Sequence, residues 1–543
     1  MRRIINNIFW FLCLLFVVAC GGKSTDEGKK VFNINLDQNV TSLDPAFARN
    51  QNAIWMINQL FNGLVQVDDS LNTKPCIAKT WQMSADGLTY TFNLRNDVYF
   101  QDDPLFKDGK GRKVVAADFA YSFYRLIDPK IASSGGWIFN DKVKDADGFK
   151  ALNDSTFRIT LLKPFPAFMQ LLTAQYCSVV PKEVVEHYGK DFRSHPVGTG
   201  PFKFKYWKED EILVLLKNEN YWEKDGNVRL PYLDAVKVTF ISDKQSAFMN
   251  FIKKDLDFFN SVDGSYRDDI LTKSGKMTSK YKDKFQLIKG PYLCTEYVGI
   301  LVDPDKKIVQ NSPLRLKKVR QAINYSIDRE KLIKYLRNSV GTPATSGFIP
   351  RGMPGFDSTR VKGYNYNPAL AAKLLAEAGY PNGKGMPEVT LSTSTTYKDL
   401  IEFIQGELSN IGIKAKVDVS PSASLRDMMS KNEVNFFRGS WIADYPDGEN
   451  YLSVFYSKNR VPFGPNYTGY FNDEFDRLFE QSYFESDNKK RYELYYKMDN
   501  MIMEHSSVVP VLYDQAVVML QNNISGYPIN PLSLMILKRV KKG

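Results

Sequence analysis

The sequence predicts an α/β protein with more than one domain. Its 543 residues exceed what one hydrophobic core usually holds, and 43% hydrophobic residues allow cores of full size. Residues 88–94 alternate between apolar and polar side chains, which is the pattern of a half-buried strand. Residues 316–327 instead place apolar side chains at helical spacing. Because segments of both kinds follow one another along the chain, we expect strands and helices to be mixed.

The N-terminus has the pattern of an export signal. Two arginines precede an apolar run, Ile8 to Val18, that is too short for a permanent membrane span, and the run ends in Val17-Val18-Ala19-Cys20. We interpret residues 1–19 as a signal peptide and Cys20 as a lipidated residue, followed by a polar tether over residues 20–30. The alternative is an ordinary secretory signal without acylation. The sequence thus predicts an outward-facing lipoprotein of the cell envelope, and it leaves open which membrane carries the anchor.

Charge and cysteine content exclude two classes of protein. Loss of the two arginines with residues 1–19 lowers the formal net charge from +11 to +9, and the basic residues are scattered among acids without the basic and aromatic runs of nucleic-acid binders. Of five cysteines, Cys13 would be removed and Cys20 lipidated, which leaves Cys76, Cys177 and Cys294. At most one disulfide is possible, so the chain is not a disulfide scaffold.

The first half of the chain reads as strands alternating with helices and turns. The Gly-rich turn at 197–202 lacks the Gly-Lys-Ser/Thr ending of a phosphate loop and is interpreted as a strand connection. The lysine-rich stretch 271–289 is interpreted as a surface excursion. The elements predicted for this half are a strand at 32–36, a turn at 42–45, a helix near 54–64, a strand after the Asp86-Gly87 turn, a helix at 114–126 that stops at Asp128-Pro129, and a strand at 156–162.

The second half begins with helices that have clear start signals. Pro313 can open a helix, and Asp328 is placed to cap the next one. Pro368 opens a third helix, with Leu370, Leu374 and Ala378 facing inward. A strand at 389–392, a helix at 400–408 and a strand at 413–419 then complete a βαβ-like unit.

Neither metal chemistry nor catalysis has a sequence signature. The three histidines, His187, His195 and His505, lack metal-ligand spacing, and no paired cysteines supplement them. The chain contains no Gly-x-Ser-x-Gly elbow and no His-Glu-x-x-His motif. We therefore expect no enzyme, no metal and no cofactor.

Residues 438–452 hold the strongest candidate site. Residues 434–437 read as the end of a buried strand, and Tyr445-Pro446-Asp447-Gly448 is turn chemistry, so Asp444 lies where a strand delivers a side chain to a loop. Such positions often hold binding residues on a rigid scaffold. The alternative is that Asp444 only accepts hydrogen bonds from its own turn.

The run Trp441 to Asp447 resembles the ligand-binding signature Trp-x-x-Asp-Tyr-x-(Asp/Glu)-Pro of the family 5 extracellular solute-binding proteins, the dipeptide- and oligopeptide-binding proteins of bacterial ABC importers. The chain departs from it at Gly448, where the family commonly has proline, so the following loop is expected to run differently. Four further segments in the family's order extend the resemblance over most of residues 31–530; they are 42–45, 86–95, 197–202 and 319–330.

The resemblance implies a two-lobed α/β clamp of the periplasmic-binding-protein type, whose first lobe is discontinuous. Residues 31–289 and 506–543 would form lobe I, and residues 290–505 would form lobe II. Two chain crossings near these junctions would form the hinge.

The resemblance also implies roles for the residues around Asp444. The Asp444 carboxylate would meet a peptide ammonium, Ser440 and Ile442 would offer backbone groups, and Arg438 matches a position that in some oligopeptide binders meets the C-terminal carboxylate. Trp441 and Tyr445 would wall side-chain pockets, or else be ordinary core aromatics. Residues 49–51 correspond more loosely to another ligand-facing loop.

The function that follows is a lipid-anchored, monomeric binding protein that captures peptides by lobe closure and presents them to an ABC permease. One alternative keeps the fold and changes the solute to an oligosaccharide, a nickel chelate, haem or an opine. Asp444 favours a peptide, because an ammonium is the partner that a desolvated carboxylate most needs. A receptor that senses peptides without importing them is the alternative of another class.

Overall fold

The computed structural model describes residues 28–260 and 262–543, which form a two-lobed α/β clamp. The predicted signal peptide, Cys20 and most of the tether lie outside the described residues. None of the helices within the described ranges is long and apolar enough to cross a membrane.

The strands are numbered in chain order. They are β1 Val31–Leu36, β2 Val65–Val67, β3 Thr73–Pro75, β4 Ala78–Met83, β5 Thr89–Leu94, β6 Phe149–Asn153, β7 Thr156–Thr160, β8 Phe202–Lys208, β9 Ile212–Lys217, β10 Lys224–Asp225, β11 Val228–Arg229, β12 Ala235–Phe240, β13 Phe258–Phe259, β14 Phe285–Ile300, β15 Thr342–Pro343, β16 Val389–Ser394, β17 Ala415–Ser420, β18 Phe436–Ile442, β19 Val508–Gln521, β20 Ile524–Ser525 and β21 Lys541–Lys542.

The α-helices follow the same order. They are α1 Gln51–Leu60, α2 Ala116–Ile127, α3 Phe168–Leu171, α4 Lys182–Tyr188, α5 Lys244–Ile252, α6 Arg267–Ile270, α7 Lys307–Gln310, α8 Lys317–Ser326, α9 Arg329–Leu336, α10 Pro368–Glu377, α11 Lys398–Ser409, α12 Ser422–Ser430, α13 Glu449–Leu452, α14 Asp473–Ser482 and α15 Asn488–His505.

Three sheets carry the two lobes. The first lobe contains two four-stranded sheets, with strand orders β1-β12-β9-β8 and β4-β5-β7-β6. A seven-stranded sheet with the order β13-β19-β14-β18-β16-β17, in which β15 also pairs with β19, carries the second lobe and reaches the first lobe through β13 and one end of β19. β14 and β19 pair in antiparallel fashion from Phe285↔Gln521 to Gly299↔Val508. These two long strands run from β13, beside the first lobe, into the core of the second.

Several local predictions are confirmed. Asp328 caps α9 by accepting a hydrogen bond from the Lys331 N–H, and Pro368 is the first residue of α10. The strand prediction near residue 434 is wrong in register, because the strand begins at Phe436 and extends through Ile442. On α10 the predicted Leu374 and Ala378 pack partly buried against the core, while Ala371 and Leu375 are fully buried.

The prediction of a surface excursion at 271–289 is also wrong. Leu271 and Tyr281 are buried, and Phe285 begins β14. The lysines of this stretch lie at the protein surface while the apolar residues between them pack on Met519 of β19 and on helix α5. The many lysines of this stretch therefore led to a prediction of surface loop, although the buried start of β14 lies within it.

The turn at residues 42–45 is held by a buried ion pair. Both carboxylate oxygens of Asp44 accept hydrogen bonds from Arg125, at 3.0 and 2.6 Å, and Asp44 also accepts from the Ala46 N–H. A bidentate pair of this kind has a fixed geometry as well as a favourable energy. It fixes the loop that leads into α1.

The lobes touch one another in this structure. Tyr445, from the loop after β18, packs in the hydrophobic cluster of the first lobe, while Val67 and Leu71 of the first lobe pack in a cluster of the second. The clamp therefore adopts a closed arrangement. Cys76, Cys177 and Cys294 are all buried and free.

Candidate functional site

Beyond Phe437, one edge of β18 faces the cleft and has no partner strand among the described residues. β16 pairs with β18 only at Phe436 and Phe437, whereas β14 pairs with it along its whole length. The Ala443 N–H donates to the Leu293 carbonyl of β14. Because main-chain groups of alternate residues point to opposite edges, those of Ser440 and Ile442 point away from β14, to the unpaired edge. This edge can add an extended chain as a further strand.

Asp444 lies two residues beyond the end of β18, at the wall of the cleft. Its side chain is exposed to the cleft, and desolvation by the surrounding protein raises the pKa of the carboxyl. A hydrogen bond of 3.2 Å from the Asn450 Nδ2 opposes this rise. Within the part of the chain that the structure describes, no Lys, Arg or His forms an ion pair with Asp444. The carboxylate therefore faces the cleft with an amide partner and without a cation from these residues.

Asn450 holds the site together and was missed by sequence reasoning. Its Oδ1 accepts hydrogen bonds from the Trp441 Nε1, at 3.0 Å, and from the Asp444 N–H, at 3.2 Å. Its Nδ2 donates to the Asp444 carboxylate. Asn450 lies in α13, six residues after Asp444. Asparagine at this spacing carries no signal in one sequence, because the contact depends on how the loop folds back.

The second acid of the motif has a structural role. Asp447 is 1% exposed, and its carboxylate accepts hydrogen bonds from Arg491, at 3.0 Å, and from the Tyr495 hydroxyl, at 2.7 Å. Gly448 follows, and a side chain there would come within 3.0 Å of Tyr495 and 3.1 Å of the Pro354 carbonyl. The loop after the site is thus pressed against α15, which explains a small residue at this point.

Aromatic contacts between the lobes close over the site. The Tyr445 ring stacks on Trp137 of the first lobe, with centroids 6.4 Å apart, and meets the edge of Phe165 at the same distance. Phe165 also contacts Tyr483 of the second lobe at 5.6 Å. Such ring pairs contribute about 0.5–1.5 kcal/mol each beyond the burial of their area. Tyr445 is therefore a contact between the lobes and Asp444 is its immediate neighbour.

A buried carboxyl lies beneath these rings. Glu449 accepts hydrogen bonds from the hydroxyls of Tyr445 and Tyr483, the latter at 3.2 Å. Burial raises the pKa of Glu449 to about 7, with Asp447 adding to the rise and the two tyrosines and Lys142 of the first lobe opposing it. Burial lowers the pKa of Lys142. The charge state of this contact therefore depends on Glu449 of the second lobe and on Lys142 of the first lobe together.

Tyr176 forms the wall of the first lobe opposite Asp444. Its ring packs edge-on against Trp137 at 6.4 Å, and its hydroxyl lies 3.4 Å from the Ser134 hydroxyl. Burial raises the pKa of Tyr176, and the charges of Asp444 and Arg49 act on it with opposite signs. Arg49 is exposed and lies two residues before the start of α1.

Arg438 is engaged within the second lobe. Its guanidinium forms a buried ion pair with Glu296 of β14 and lies 3.2 Å above the ring centroid of Tyr397. Desolvation opposes the charge of Arg438, but Glu296 and Tyr397 hold its pKa above the ordinary value. The Nε of Arg438 has no acceptor among the described residues. Arg438 lies within β18, six residues before Asp444, and its charge is already paired with Glu296.

A cavity of about 520 Å³ extends from Ile442 to the long strands, and we call it the hinge-side cavity. Its volume lies within the range typical of small-ligand sites. Four parts of the chain line it: α1 with the C-terminal segment, β13 and α6 with residues beside them, the strands β14 and β19, and the second lobe. Among its lining residues are Trp55, Phe258, Arg267, Tyr292, Arg337, Tyr397, Asp514, Tyr527 and Asn530.

Cys294, Glu296 and Asp514 form the one cluster with metal-ligand geometry in the described ranges, with donor atoms within 4.8 Å of one another. Both carboxylates are engaged, Glu296 by Arg438 and Asp514 by Arg337. Burial raises the pKa of the Cys294 thiol well above its ordinary value, which disfavours the thiolate that a metal needs. The cluster is better described as a charge-balanced network.

The structure divides the six predicted binding residues into three groups. Asp444 and the main chain of Ser440 and Ile442 face the cleft together. Tyr445 packs on the first lobe, and Trp441 is held by Asn450 against the core of the second lobe. Arg438 lies apart with Glu296. Trp137 and Tyr176 of the first lobe complete the wall, and no motif in the sequence marks them as neighbours of Asp444.

Known proteins resemble this chain along almost its whole length. The profile of the bacterial extracellular solute-binding proteins, family 5 Middle, matches residues 72–463. The glutathione-binding protein GsiB of Escherichia coli O1:K1 / APEC is 27% identical over 504 residues, which cover 92% of each chain.

Solved structures agree in fold. The periplasmic binding protein DppA of Helicobacter pylori, solved in complex with the peptide STSA, superimposes with a TM-score of 0.76 at 26% identity, covering 95% of this chain and all of that one. The murein tripeptide binding protein MppA of Escherichia coli gives a TM-score of 0.74 at 24% identity and covers 95% of this chain and 99% of its own.

Proposed function

Because this chain belongs to the family 5 bacterial extracellular solute-binding proteins, we propose that its ligand is a peptide, which it captures between its lobes and delivers to an ABC importer. The protein itself carries out no covalent chemistry. An anchored binding protein raises the local concentration of solute at the permease, so that dilute peptides can be imported.

The observation that carries the proposal is the unpaired carboxylate of Asp444 in the closed cleft. A ligand that closes off the cleft would take the Asp444 carboxylate out of water, and a peptide ammonium would compensate its charge there. Oligosaccharides have no ammonium to offer. The same cleft presents the unpaired edge of β18, which suits the main chain of an extended peptide.

The remaining predicted residues receive proposed roles from their positions. Ser440 and Ile442 would exchange main-chain hydrogen bonds with the peptide, and Trp441 and Tyr445 would shape the walls around it. Arg438 would draw the ligand carboxylate through the donors that Glu296 leaves free, of which Nε has no acceptor among the described residues. Of these proposals, the role of Arg438 requires the most rearrangement on binding.

We propose lobe boundaries and a hinge for the capture step. Lobe I would comprise residues 31–289 and 506–543, and lobe II residues 290–505. β14 begins shortly before the first junction and β19 begins shortly after the second, so bending of these two strands would open the cleft. Contacts such as that of Tyr445 with Trp137 would break on opening and reform around the ligand.

The location proposed for the protein is the outer face of a bacterial membrane, with Cys20 lipidated and residues 20–30 as tether. The ABC permease subunits would be its partners, and it would work as a monomer. Relatives support a peptide as ligand: GsiB is named for glutathione, MppA for a murein tripeptide, and DppA was solved with the peptide STSA.

Mass spectrometry of ligands that co-purify with the protein tests the proposal. The mature chain is purified without refolding and denatured, and the released small molecules are sequenced. We expect short peptides with free N-termini, in amounts close to one per protein molecule. Stoichiometric release of a sugar, a metal chelate or haem, with no peptide, would contradict it.

A further inference from the structure

We propose that one face of the first lobe, which we call the tether-side face, binds the anionic headgroups of the membrane surface. The proposal rests on the proposed location of the protein and adds a second contact to the lipid anchor. The face is defined by seven exposed lysines around the point where the described chain begins; they are Lys29, Lys30, Lys253, Lys254, Lys282, Lys284 and Lys541.

Hydrogen bonds around Asp257 join the first and last strands of the chain at this face. The Asp257 carboxylate accepts from the Asn33 N–H of β1 and from the Lys542 Nζ of β21, both at 2.7 Å. The Lys542 Nζ also donates to the Val31 carbonyl at 2.7 Å. Lys253 and Lys254 lie in the turn that leads to Asp257, so they lie beside the start of β1.

The segment 282–284 lies at the same end of the first lobe. The Asn522 Nδ2 donates to the Asp283 carbonyl at 2.9 Å, and the Asn523 Nδ2 donates to the Gly543 carbonyl at 3.2 Å. Residues 522–523 connect β19 to β20, and β20 pairs with β21, which contains Lys541. Four segments that are distant in the sequence therefore meet around the start of β1; they are 29–33, 253–257, 282–284 and 541–543.

This face carries more positive than negative charge. Lys542 and Asp257 form an ion pair and neutralise one another. Against the seven exposed lysines stand Asp234, Asp255, Asp283 and the carboxyl of Gly543, which leaves a surplus of three positive charges. Six of the lysines form no ion pair with any described residue; they are Lys30, Lys253, Lys254, Lys282, Lys284 and Lys541. Their ammonium groups are therefore available to an external anion.

The proposed anchor keeps the tether-side face close to lipid. Cys20 and Gly28 are eight residues apart, a span of at most about 30 Å even when fully extended. An anionic lipid surface attracts lysines that come within a Debye length of it, about 10 Å at 0.1 M salt. Because the contact is electrostatic, salt reverses it, and the anchor alone would hold the protein during membrane extraction.

The position of the face also suits capture by lobe closure. The five lysines beyond the tether all belong to the proposed lobe I, and none belongs to lobe II. A membrane contact through them would orient lobe I at the bilayer while lobe II remains free to move about β14 and β19.

Vesicle sedimentation tests the face without the anchor. The mature chain from residue 20 carries Cys20→Ser, so that no lipid is attached, and it is mixed with vesicles of phosphatidylcholine alone or with about 30% phosphatidylglycerol. At about 0.1 M salt we expect at least about tenfold stronger partition onto the anionic vesicles. At about 0.5 M salt most of this difference should disappear, because the charges are screened.

Two variants of equal net charge locate the contact. The first combines Lys253→Gln, Lys254→Gln, Lys282→Gln and Lys284→Gln, and its preference for anionic vesicles should fall to about threefold or less. The matched control replaces four exposed lysines of the second lobe by glutamine and should keep most of the preference; they are Lys373, Lys384, Lys414 and Lys416. Thermal unfolding shows whether both variants are folded.

The outcomes separate this inference from the proposed function. Equal partition of the wild type onto the two kinds of vesicle overturns the inference, and so does an equal loss of preference in the two variants. Neither result bears on peptide binding, which is measured without vesicles, or on lipidation of Cys20, which intact mass measures.

Discussion

Two aspartates three residues apart show how environment assigns roles at the scale of single residues. Asp447 is surrounded by Arg491 and Tyr495 and serves the fold, whereas Asp444 has only the amide of Asn450 and is left with an uncompensated charge among the described residues. The sequence predicts a carboxylate at the end of a strand. It cannot predict which of the two lacks a cation, because Arg491 is 44 residues away from Asp447 in the chain.

The first prediction concerns Asp444. If its carboxylate meets a peptide ammonium, Asp444→Ala should weaken peptide binding by roughly thirtyfold or more, since loss of one partner of a buried pair costs about 2–5 kcal/mol. N-acetylation of the peptide should weaken binding to the wild type comparably. The two losses should not add, because each breaks the same contact. Calorimetry on the four combinations measures this.

A matched control is Asp427→Ala, which removes an exposed aspartate of the second lobe that pairs with Lys431. It should leave the affinity within about twofold of the wild type. Free and acetylated peptides that bind the wild type equally well would make Asp444 a turn residue.

At the scale of helices and strands, the sequence predicts helix starts and caps, but it does not predict which strands pair with one another. The cap at Asp328 and the start at Pro368 are encoded within a few residues, so they could be predicted. The central position of β14 depends on pairing with β19 more than 200 residues later, and its first residues follow a lysine-rich stretch. Arg438 shows the same limit, since its partner Glu296 is 142 residues away. The sequence pattern was enough to predict a strand followed by the motif around Asp444. Contacts with distant residues such as Glu296 determine which of these side chains are left without an ion-pair partner.

The second prediction concerns Glu449 in α13, beneath the contact between the lobes. Burial in the closed clamp raises its pKa from the ordinary 4.5 to about 7, and opening would hydrate it and return the pKa toward 4.5. Closure therefore takes up a proton between these values. The favourable contribution of Glu449 protonation to closure is complete below about pH 4.5, and it is lost as the pH rises through about 7.

We expect peptide affinity of the wild type to fall by about tenfold between pH 5.5 and 7.5 relative to Glu449→Gln, which is neutral throughout. Comparing the two proteins cancels the titration of Asp444 and of the peptide, which they share. Lys142, Lys163 and Asp447 also act on this region and are unchanged in the variant. Parallel pH profiles for the two proteins would contradict a protonation of Glu449 on closure.

At the scale of the whole molecule, the closed arrangement predicts a change of shape on binding. Small-angle scattering should give a smaller radius of gyration with saturating peptide than without it, because the ligand would hold together lobes that otherwise open about β14 and β19. Phe165→Ala, which removes ring contacts to Tyr445 and Tyr483, should require more peptide to reach the compact form. Phe463→Ala removes a ring that is 88% exposed and serves as control. Identical profiles with and without peptide would indicate a rigid site.

The last prediction concerns attachment to the membrane. Cys20→Ser should release the protein from membranes or leave it unprocessed, because the thiol would no longer be available for lipidation. Membrane extraction and intact mass of the purified protein measure both effects. Unchanged extraction together with unchanged mass would show that the anchor lies elsewhere.

The unpaired edge of β18 has a consequence for the solubility of the protein. An exposed strand edge invites the sheet of another molecule to add to it, and this is a common route to aggregation. In this protein the edge lies beside Asp444, whose neighbour Tyr445 packs against Trp137 and Phe165, so the first lobe stands next to the edge and hinders a second folded sheet from pairing with it. A single extended peptide can still enter. The recess that admits such a chain therefore also prevents copies of the protein from joining edge to edge.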